Sequence, residues 1–410
     1  MKENGSGLAN LAGSSKEFYE EPQAPTAWQI VDALEQAGVT HVVSLADNWT
    51  VRVHEALALG KTPIKLVHTC REGENIPIAA GLMAAGKNPV VMMQNSGFFE
   101  SGDSTRLGIQ LCLPLVMLIG YRGWGGGGNP NVRGRFTEPV LRALDIPYEI
   151  VDSATSVSAI GRAFKRAQER RGPAAVLLPG VGPAGIDAGI RLRADHSEEV
   201  FDGPASLSGV QPVASRVSAS KARMDYLQSL RCLSSHRTDQ IVISHETADR
   251  VWPLVSKRAD FDLVGLPCMS KACSLAVGVA MGRPDRKVWV LDGDGSLAMN
   301  LGSLATEADW RPRNLVHFVC QNFEYEITAD QPFPSADCID FAMIARGCGF
   351  RRVFTFDDLD ELERGLPEAI SGSDLTLVVL KVMPAGAQAG PYRYLLPEHV
   401  QQFRATLAKT

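Results

Sequence analysis

The chain has 410 residues, 45% of them apolar and 21% charged, and a net charge of −5. That length and apolar content suit two or three domains with cores of their own, and 46 acidic against 41 basic residues exclude a broad electrostatic grip on nucleic acid or an anionic membrane. The longest strongly apolar run, residues 111–120, is too short to cross a bilayer, and the polar N-terminus lacks the apolar core of a signal peptide. The eight cysteines form no CxxC pair and mostly sit in apolar segments, so the chain reads as a cytoplasmic protein with reduced thiols.

Residues 1–24 are polar and read as a mobile N-terminal arm. From Ala27 to Pro179 helix and strand signals alternate. Residues 28–37 have helical periodicity and stop at Gly38, and residues 41–45 and 64–67 are short strands. Residues 75–85 form a helix of small apolar side chains that can pack closely. Residues 89–93 and 114–119 are continuous apolar strands, as expected when both faces of a parallel sheet are covered. Helices over 138–144 and 156–168 and strands over 148–151 and 174–178 complete a first domain, residues 25–182. Residues 183–220, rich in Gly, Pro, Ala, Ser and Asp, read as a linker.

The alternation restarts in residues 221–410. Helices are expected over 222–229, 248–257, 270–281, 301–309, 338–346 and 358–370, and strands over 240–244, 261–264, 287–291, 315–320 and 375–382. The fold class is therefore α/β, with two doubly wound parallel-sheet domains and no repeat at the level of sequence. In such sheets ligands bind beyond the carboxyl ends of the strands.

Two candidate groups lie at those ends in the second domain. Gly293-Asp294-Gly295 follows the strand over 287–291, and Asn322, 28 residues after the Asp, follows the strand over 315–320. Glycines beside an Asp let backbone approach a phosphate. The Asp carboxylate and the Asn carboxamide oxygen are hard donors suited to Mg²⁺, and a helix starting near the same point can face an anion.

This pattern resembles the thiamine-diphosphate-dependent enzymes, whose signature is GDG followed, across a βαβ segment, by Asn-Asn. Here the pair is Gln321-Asn322, and the departure falls on the residue that is not the metal ligand. The resemblance implies a pyrimidine-binding first domain and a diphosphate-binding second domain. It implies that Asp294 and Asn322 give side-chain oxygens, and Glu324 its backbone carbonyl, to Mg²⁺, with two diphosphate oxygens and a water completing the octahedron. Gly293, Gly295, Ser296, Ser244 and His245 are expected against the diphosphate; a solvent-exposed loop position is the other reading of His245. Met269, in the segment Gly265–Ala272, matches the apolar wedge that sets the V-shape of the cofactor, against the alternative of an ordinary core methionine.

The family also needs a carboxylate in the first domain, hydrogen-bonded to N1′ of the aminopyrimidine. Glu72 lies nine residues before Gly81 of the Ala-rich helix, the family's spacing, with Glu74 as the other candidate. Only about 40 residues separate the two domains, so the middle domain of the larger relatives is absent. That shortened plan is similar to the phosphonopyruvate and sulfopyruvate decarboxylases, a likeness carried by CREGENIPIAAG, MMQNSG, LIGYRG, LDGDG and LPEHVQQFRATL. It places Asn48, Asn95 and Ser96 in or beside the site.

The implied reaction is nonoxidative decarboxylation of a 3-substituted 2-oxo acid to CO₂ and an aldehyde. A carboligase, a decarboxylase of another 2-oxo acid and a noncatalytic cofactor-binding homologue are the alternatives. A second anionic group on the substrate needs a basic partner, for which Arg122, ahead of the glycine run 123–128, is the first candidate and Arg133 and Arg135 the next; the glycine run reads as a mobile lid. Phe323 and Tyr325 suggest a bulky pocket wall. In this family the site forms between subunits, so a homodimer or homotetramer is expected, with no nucleic-acid or membrane partner.

Overall fold

The computed structural model describes residues 24–125, 133–182, 224–328 and 330–410. The linker 183–220, the expected arm apart from residue 24, and half of the glycine run (residues 126–128) lie outside the described residues. Among those described, no helix is long and apolar enough to cross a membrane.

Two six-stranded sheets organise the chain. The first holds β1 (His41–Ser44), β2 (Lys65–His68), β3 (Pro89–Gln94), β4 (Val116–Gly120), β5 (Tyr148–Ile150) and β6 (Ala174–Leu178). The second holds β7 (Ile241–Ser244), β8 (Asp262–Leu263), β9 (Val288–Gly293), β10 (Leu315–Gln321), β11 (Arg352–Phe356) and β12 (Thr376–Lys381). All their strand pairs are parallel. The strand orders are β2-β1-β3-β4-β6-β5 and β8-β7-β9-β10-β12-β11, so one becomes the other on adding six to each strand number. The chain is thus one architecture used twice, with each crevice opening where the order reverses, between β1 and β3 and between β7 and β9.

The duplication places the site. The helices Asn75–Ala84 and Ala272–Gly282 occupy equivalent positions and pack on each other. Every residue of the first is buried, which explains why its sequence after Asn75 is apolar on all faces. Close approach is reciprocal. A Cβ on Gly81 would lie 2.2 Å from the Leu275 carbonyl oxygen, and one on Gly278 would lie 2.1 Å from the Ile78 carbonyl oxygen. One apolar core joins the inner faces of both sheets through these helices, while two smaller cores cover the outer faces. Glu72 and Met269 each stand three residues before one of the paired helices, so the two expected cofactor contacts fall at equivalent points of the duplicated plan.

Several elements differ from the sequence expectation. Helices at Val51–Ala58, Asn95–Glu100 and Gly102–Gln110 and the edge strand β11 were not expected. The helix expected over 222–229 runs instead over Tyr226–Ser235, because Met224 pairs with Val382 as a β-bridge and the Asp225 carboxylate caps the helix by accepting from Gln228 N–H. The helix expected over 138–144 begins earlier, at Arg133.

Candidate active site

The residues singled out fall into two groups, one at each crevice. In the second crevice, a cavity of about 230 Å³ is lined by Gly293, Asp294, Gly295, Ser296, Asn322 and Glu324, with Met269 at its rim. Asp294 is 1% exposed and opens the short helix Asp294–Ala298 at the end of β9. Its Oδ1 accepts from Gly295 N–H at 2.8 Å and its Oδ2 from Phe323 N–H at 2.7 Å. Burial raises its carboxyl to about 7, against the pull of those amides, and a cation at the same oxygens would favour the ionised form. Met269 is 59% exposed, so it is no core residue.

Thiamine diphosphate with a hard divalent ion fits these residues. A carboxylate has about four acceptor positions, so two amide bonds leave Asp294 capacity for a cation. Ser296 is buried in the cavity wall, its side chain beside the Asp292 carboxyl. The backbone of Gly293 is open to approach, with nothing nearer than 3.5 Å to a Cβ placed there, whereas one on Gly295 would strike the Tyr325 ring at 2.6 Å. Thr247, which starts the nine-residue helix Thr247–Val255, adds a helix N-terminus to the lining.

Ser244 and His245 do not line the cavity. Ser244 Oγ donates to Asp249 at 2.8 Å. His245 is buried between Glu246 at 3.2 Å and Asp249 at 3.8 Å. Burial alone would lower its pKa, and those two carboxylates hold it well above the ordinary value. Phe323, too, is drawn away from the cavity: it is buried in the shared core with φ at +69°, and only Tyr325 forms a wall. Tyr226, Glu246, Thr247, Met299 and Glu326 line the site and were not expected there. For Glu246, Thr247, Met299 and Glu326 the only sequence signal was proximity to strand ends; Tyr226, at the start of the helix Tyr226–Ser235, had not even that.

At the first crevice, Glu72 is half-buried in the turn Glu72–Glu74. Burial raises its pKa, and the nearby Glu100 and Asp47 carboxylates add to the shift. A Cβ on Gly97 would lie 2.4 Å from Glu72 Cγ, so the glycine of MMQNSG makes room for this side chain. Glu74 points elsewhere. It is fully buried, with Oε1 3.5 Å from Asn300 Nδ2 in the second half of the same chain, and burial raises it to about 7.

Asn95, at the end of β3, donates through Nδ2 to the Arg122 carbonyl oxygen at 2.9 Å and to Thr137 Oγ1 at 3.0 Å. Asn95 Oδ1, Ser96 Oγ and Arg122 Nε are all buried without a hydrogen-bond partner. The Arg122 guanidinium lies 5.3 Å from the Trp49 ring centre, and Gly120 leaves the space for Trp49, since its Cβ would come within 2.8 Å of Trp49 Cβ. Asn48 is exposed on the loop after β1. Arg135 is exposed, and Arg133 opens the helix Arg133–Ala143. No first-half residue lines the second-half cavity among the described residues.

Residues 244–380 match the family model for the thiamine pyrophosphate enzyme C-terminal TPP-binding domain. Over 390 residues the chain is 29% identical to phosphonopyruvate decarboxylase of Streptomyces viridochromogenes, covering 92% of this chain and 94% of that one. It is 30% identical over 123 residues to the alpha subunit of sulfopyruvate decarboxylase of Methanothermobacter thermautotrophicus, covering 28% of this chain and 71% of the subunit. The crystal structure of benzoylformate decarboxylase from Polynucleobacter necessarius superposes with a TM-score of 0.66 at 14% identity, covering 90% of this chain and 100% of that one, which is a likeness of fold alone.

Proposed function

The chain belongs to the thiamine-diphosphate-dependent decarboxylases of the phosphonopyruvate and sulfopyruvate family, and from that premise we propose that its substrate is a 2-oxo acid bearing a second anionic group on C3, phosphonate or sulfonate. Decarboxylation leaves CO₂ and the matching aldehyde. The observation that carries the substrate class is Arg122. Its guanidinium lies over Trp49 and its Nε is buried without a hydrogen-bond partner, while the Asp47 carboxylate interacts with its charge but forms no ion pair with it among the described residues. A buried cationic donor left unsatisfied is costly unless an anion completes it.

When bound, thiamine diphosphate supplies the nucleophilic carbon and the electron sink for loss of CO₂. Asp294 and Asn322 would hold Mg²⁺ by side-chain oxygens, with the Glu324 carbonyl as the third protein donor. Glu72, raised by burial against Gly97, would hold the proton shared with N1′ of the aminopyrimidine. Asn95 and Ser96 offer further polar atoms beside Arg122 to orient the substrate. Because the second-half cavity takes nothing from the first half of its own chain among the described residues, Glu72 would serve the cavity of a partner subunit in a homodimer or a larger homo-oligomer.

A panel of phosphonopyruvate, sulfopyruvate and pyruvate, with CO₂ and aldehyde followed in the presence of thiamine diphosphate and Mg²⁺, tests this. Turnover is expected on the dianionic acids in preference to pyruvate. Arg122→Ala should raise KM for the preferred acid by about 10–100-fold, the loss of a charge-assisted hydrogen bond, and leave kcat/KM for pyruvate nearly unchanged. Arg122→Lys should recover part of the loss. Equal turnover of pyruvate by the wild type would remove the second anion from the proposal.

A further inference from the structure

Turning the terminal amide of an asparagine by half a turn exchanges its oxygen and its nitrogen, so Asn322 can present either atom to the cavity. Glu326 decides between them. Its Oε2 accepts from Asn322 Nδ2 at 2.8 Å, and its Oε1 accepts from the Gly386 backbone N–H at 2.6 Å. A carboxylate has nothing to donate, so the group facing it on Asn322 must be the amide nitrogen; the reversed orientation would set two acceptors against each other. Asn322 Oδ1 is then left with one long contact, 3.3 Å from Glu324 N–H, and lone-pair capacity remains for a cation.

Glu326 is itself held in place. Gly386, at φ +49°, opens the turn Gly386–Gln388, and Gln388 Nε2 donates to Asp225 Oδ2 at 2.7 Å, one residue before Tyr226 in the cavity lining. Swinging the carboxylate away from Asn322 would break the Gly386 bond as well.

We propose that Glu326 is a positioning residue that locks Asn322 with its oxygen toward the divalent ion, and so sets the affinity of the site for that ion. This rests on Asp294 and Asn322 holding the ion. Outer-sphere partners of this kind change metal affinity by about 10–100-fold when removed.

The test is a titration of full-length protein with Mn²⁺ at saturating thiamine diphosphate, free Mn²⁺ being read by its electron paramagnetic resonance signal. Glu326→Ala is expected to weaken Mn²⁺ binding by about 10–100-fold. Glu326→Gln has a single accepting oxygen for two donors, Asn322 Nδ2 and the Gly386 N–H, so its affinity should fall between those of the wild type and Glu326→Ala, with a thermal midpoint in the absence of cofactor close to that of the wild type. Equal weakening by both substitutions would show that only the charge matters and would overturn the positioning role. So would wild-type affinity in Glu326→Ala. A wild-type chain that takes up no Mn²⁺ would overturn the ion reading and this inference together, whereas Mn²⁺ uptake that is indifferent to Glu326 sinks this inference alone.

Discussion

Glu72→Gln is expected to lower CO₂ release by about 10²–10⁴-fold, the usual contribution of a positioned acid–base group, while thiamine diphosphate and Mn²⁺ bind almost as to the wild type. The separation follows from the geometry. Glu72 sits against Gly97 in the first crevice, while the cavity that would take the diphosphate and ion is built from second-half residues. Glutamine keeps the size and loses the titrating proton. Asp294→Ala should do the reverse, removing ion and cofactor binding while leaving Glu72 in place. Mixing the two inactive proteins under conditions that exchange subunits gives a sharper result. If each site joins Glu72 of one subunit to Asp294 of another, half the randomly formed dimers carry one intact site of two, and about a quarter of wild-type activity should return. No regained activity, with exchange verified by differently tagged subunits, would place both residues of a site in one chain. Unchanged turnover in Glu72→Gln would deny the carboxyl any part in the chemistry.

Much of this arrangement was legible in the sequence because its signals are local. The strand β6 was bounded correctly from AAVLL alone, and continuous apolar runs marked β3, β4, β9 and β10 because strands covered on both faces have no polar side to show. The Gly293-Asp294-Gly295 turn and the Ala-rich helix after Glu72 are likewise contiguous. What escaped depends on distant partners. The edge strand β11 has neither a continuous apolar run nor a strict alternation: only Val353 and Phe356 are buried, and Arg352 and Thr355 interrupt it, too weak a signal to separate from a loop. The helices Asn95–Glu100 and Gly102–Gln110 are interrupted by glycines and rich in polar residues.

The shared strand order of the two halves depends on which strands pair, and no periodicity within a strand encodes that. At the site, the contact of Gly97 with Glu72, the stacking of Arg122 on Trp49 and the hold of Glu326 on Asn322 all join residues from separate turns or loops. The Glu72-or-Glu74 ambiguity shows the same limit. Spacing left two carboxylates, and three-dimensional placement sends them to different surroundings, Glu72 to the crevice beside Gly97 and Glu74 into the interface with Asn300.

Gly278→Ala and Gly161→Ala make the same chemical change in two helices, and their effects should have opposite signs. Gly161, in the helix Ala159–Arg170, is exposed, and a Cβ added there would have nothing within 4 Å, so alanine should stabilise by about 0.5–1 kcal/mol through backbone entropy. At Gly278 the same helix-propensity gain exists, but the new Cβ would lie 2.1 Å from the Ile78 carbonyl oxygen and 2.9 Å from Leu82 N. These are backbone atoms of a helix buried along its whole length, and they have no rotamer by which to give way. The two helices must move apart, which loosens the core joining both sheets, and overpacking of about 1–3 kcal/mol outweighs the propensity gain. At roughly 2–4 °C per kcal/mol for units of this size, the thermal midpoint should fall by several degrees in Gly278→Ala and further in Gly278→Val, and rise by a few degrees in Gly161→Ala. Gly81→Ala should resemble Gly278→Ala, because its Cβ would meet the Leu275 carbonyl oxygen at 2.2 Å from the other side of the same contact. Because that contact fixes the turns that carry Glu72 and Met269, the Gly278 and Gly81 variants should also lose decarboxylase activity below their midpoints, while Gly161→Ala should not. A Gly278→Ala protein that melts at or above the wild-type temperature would mean that the helices part without cost and that the close approach does not hold the two halves together.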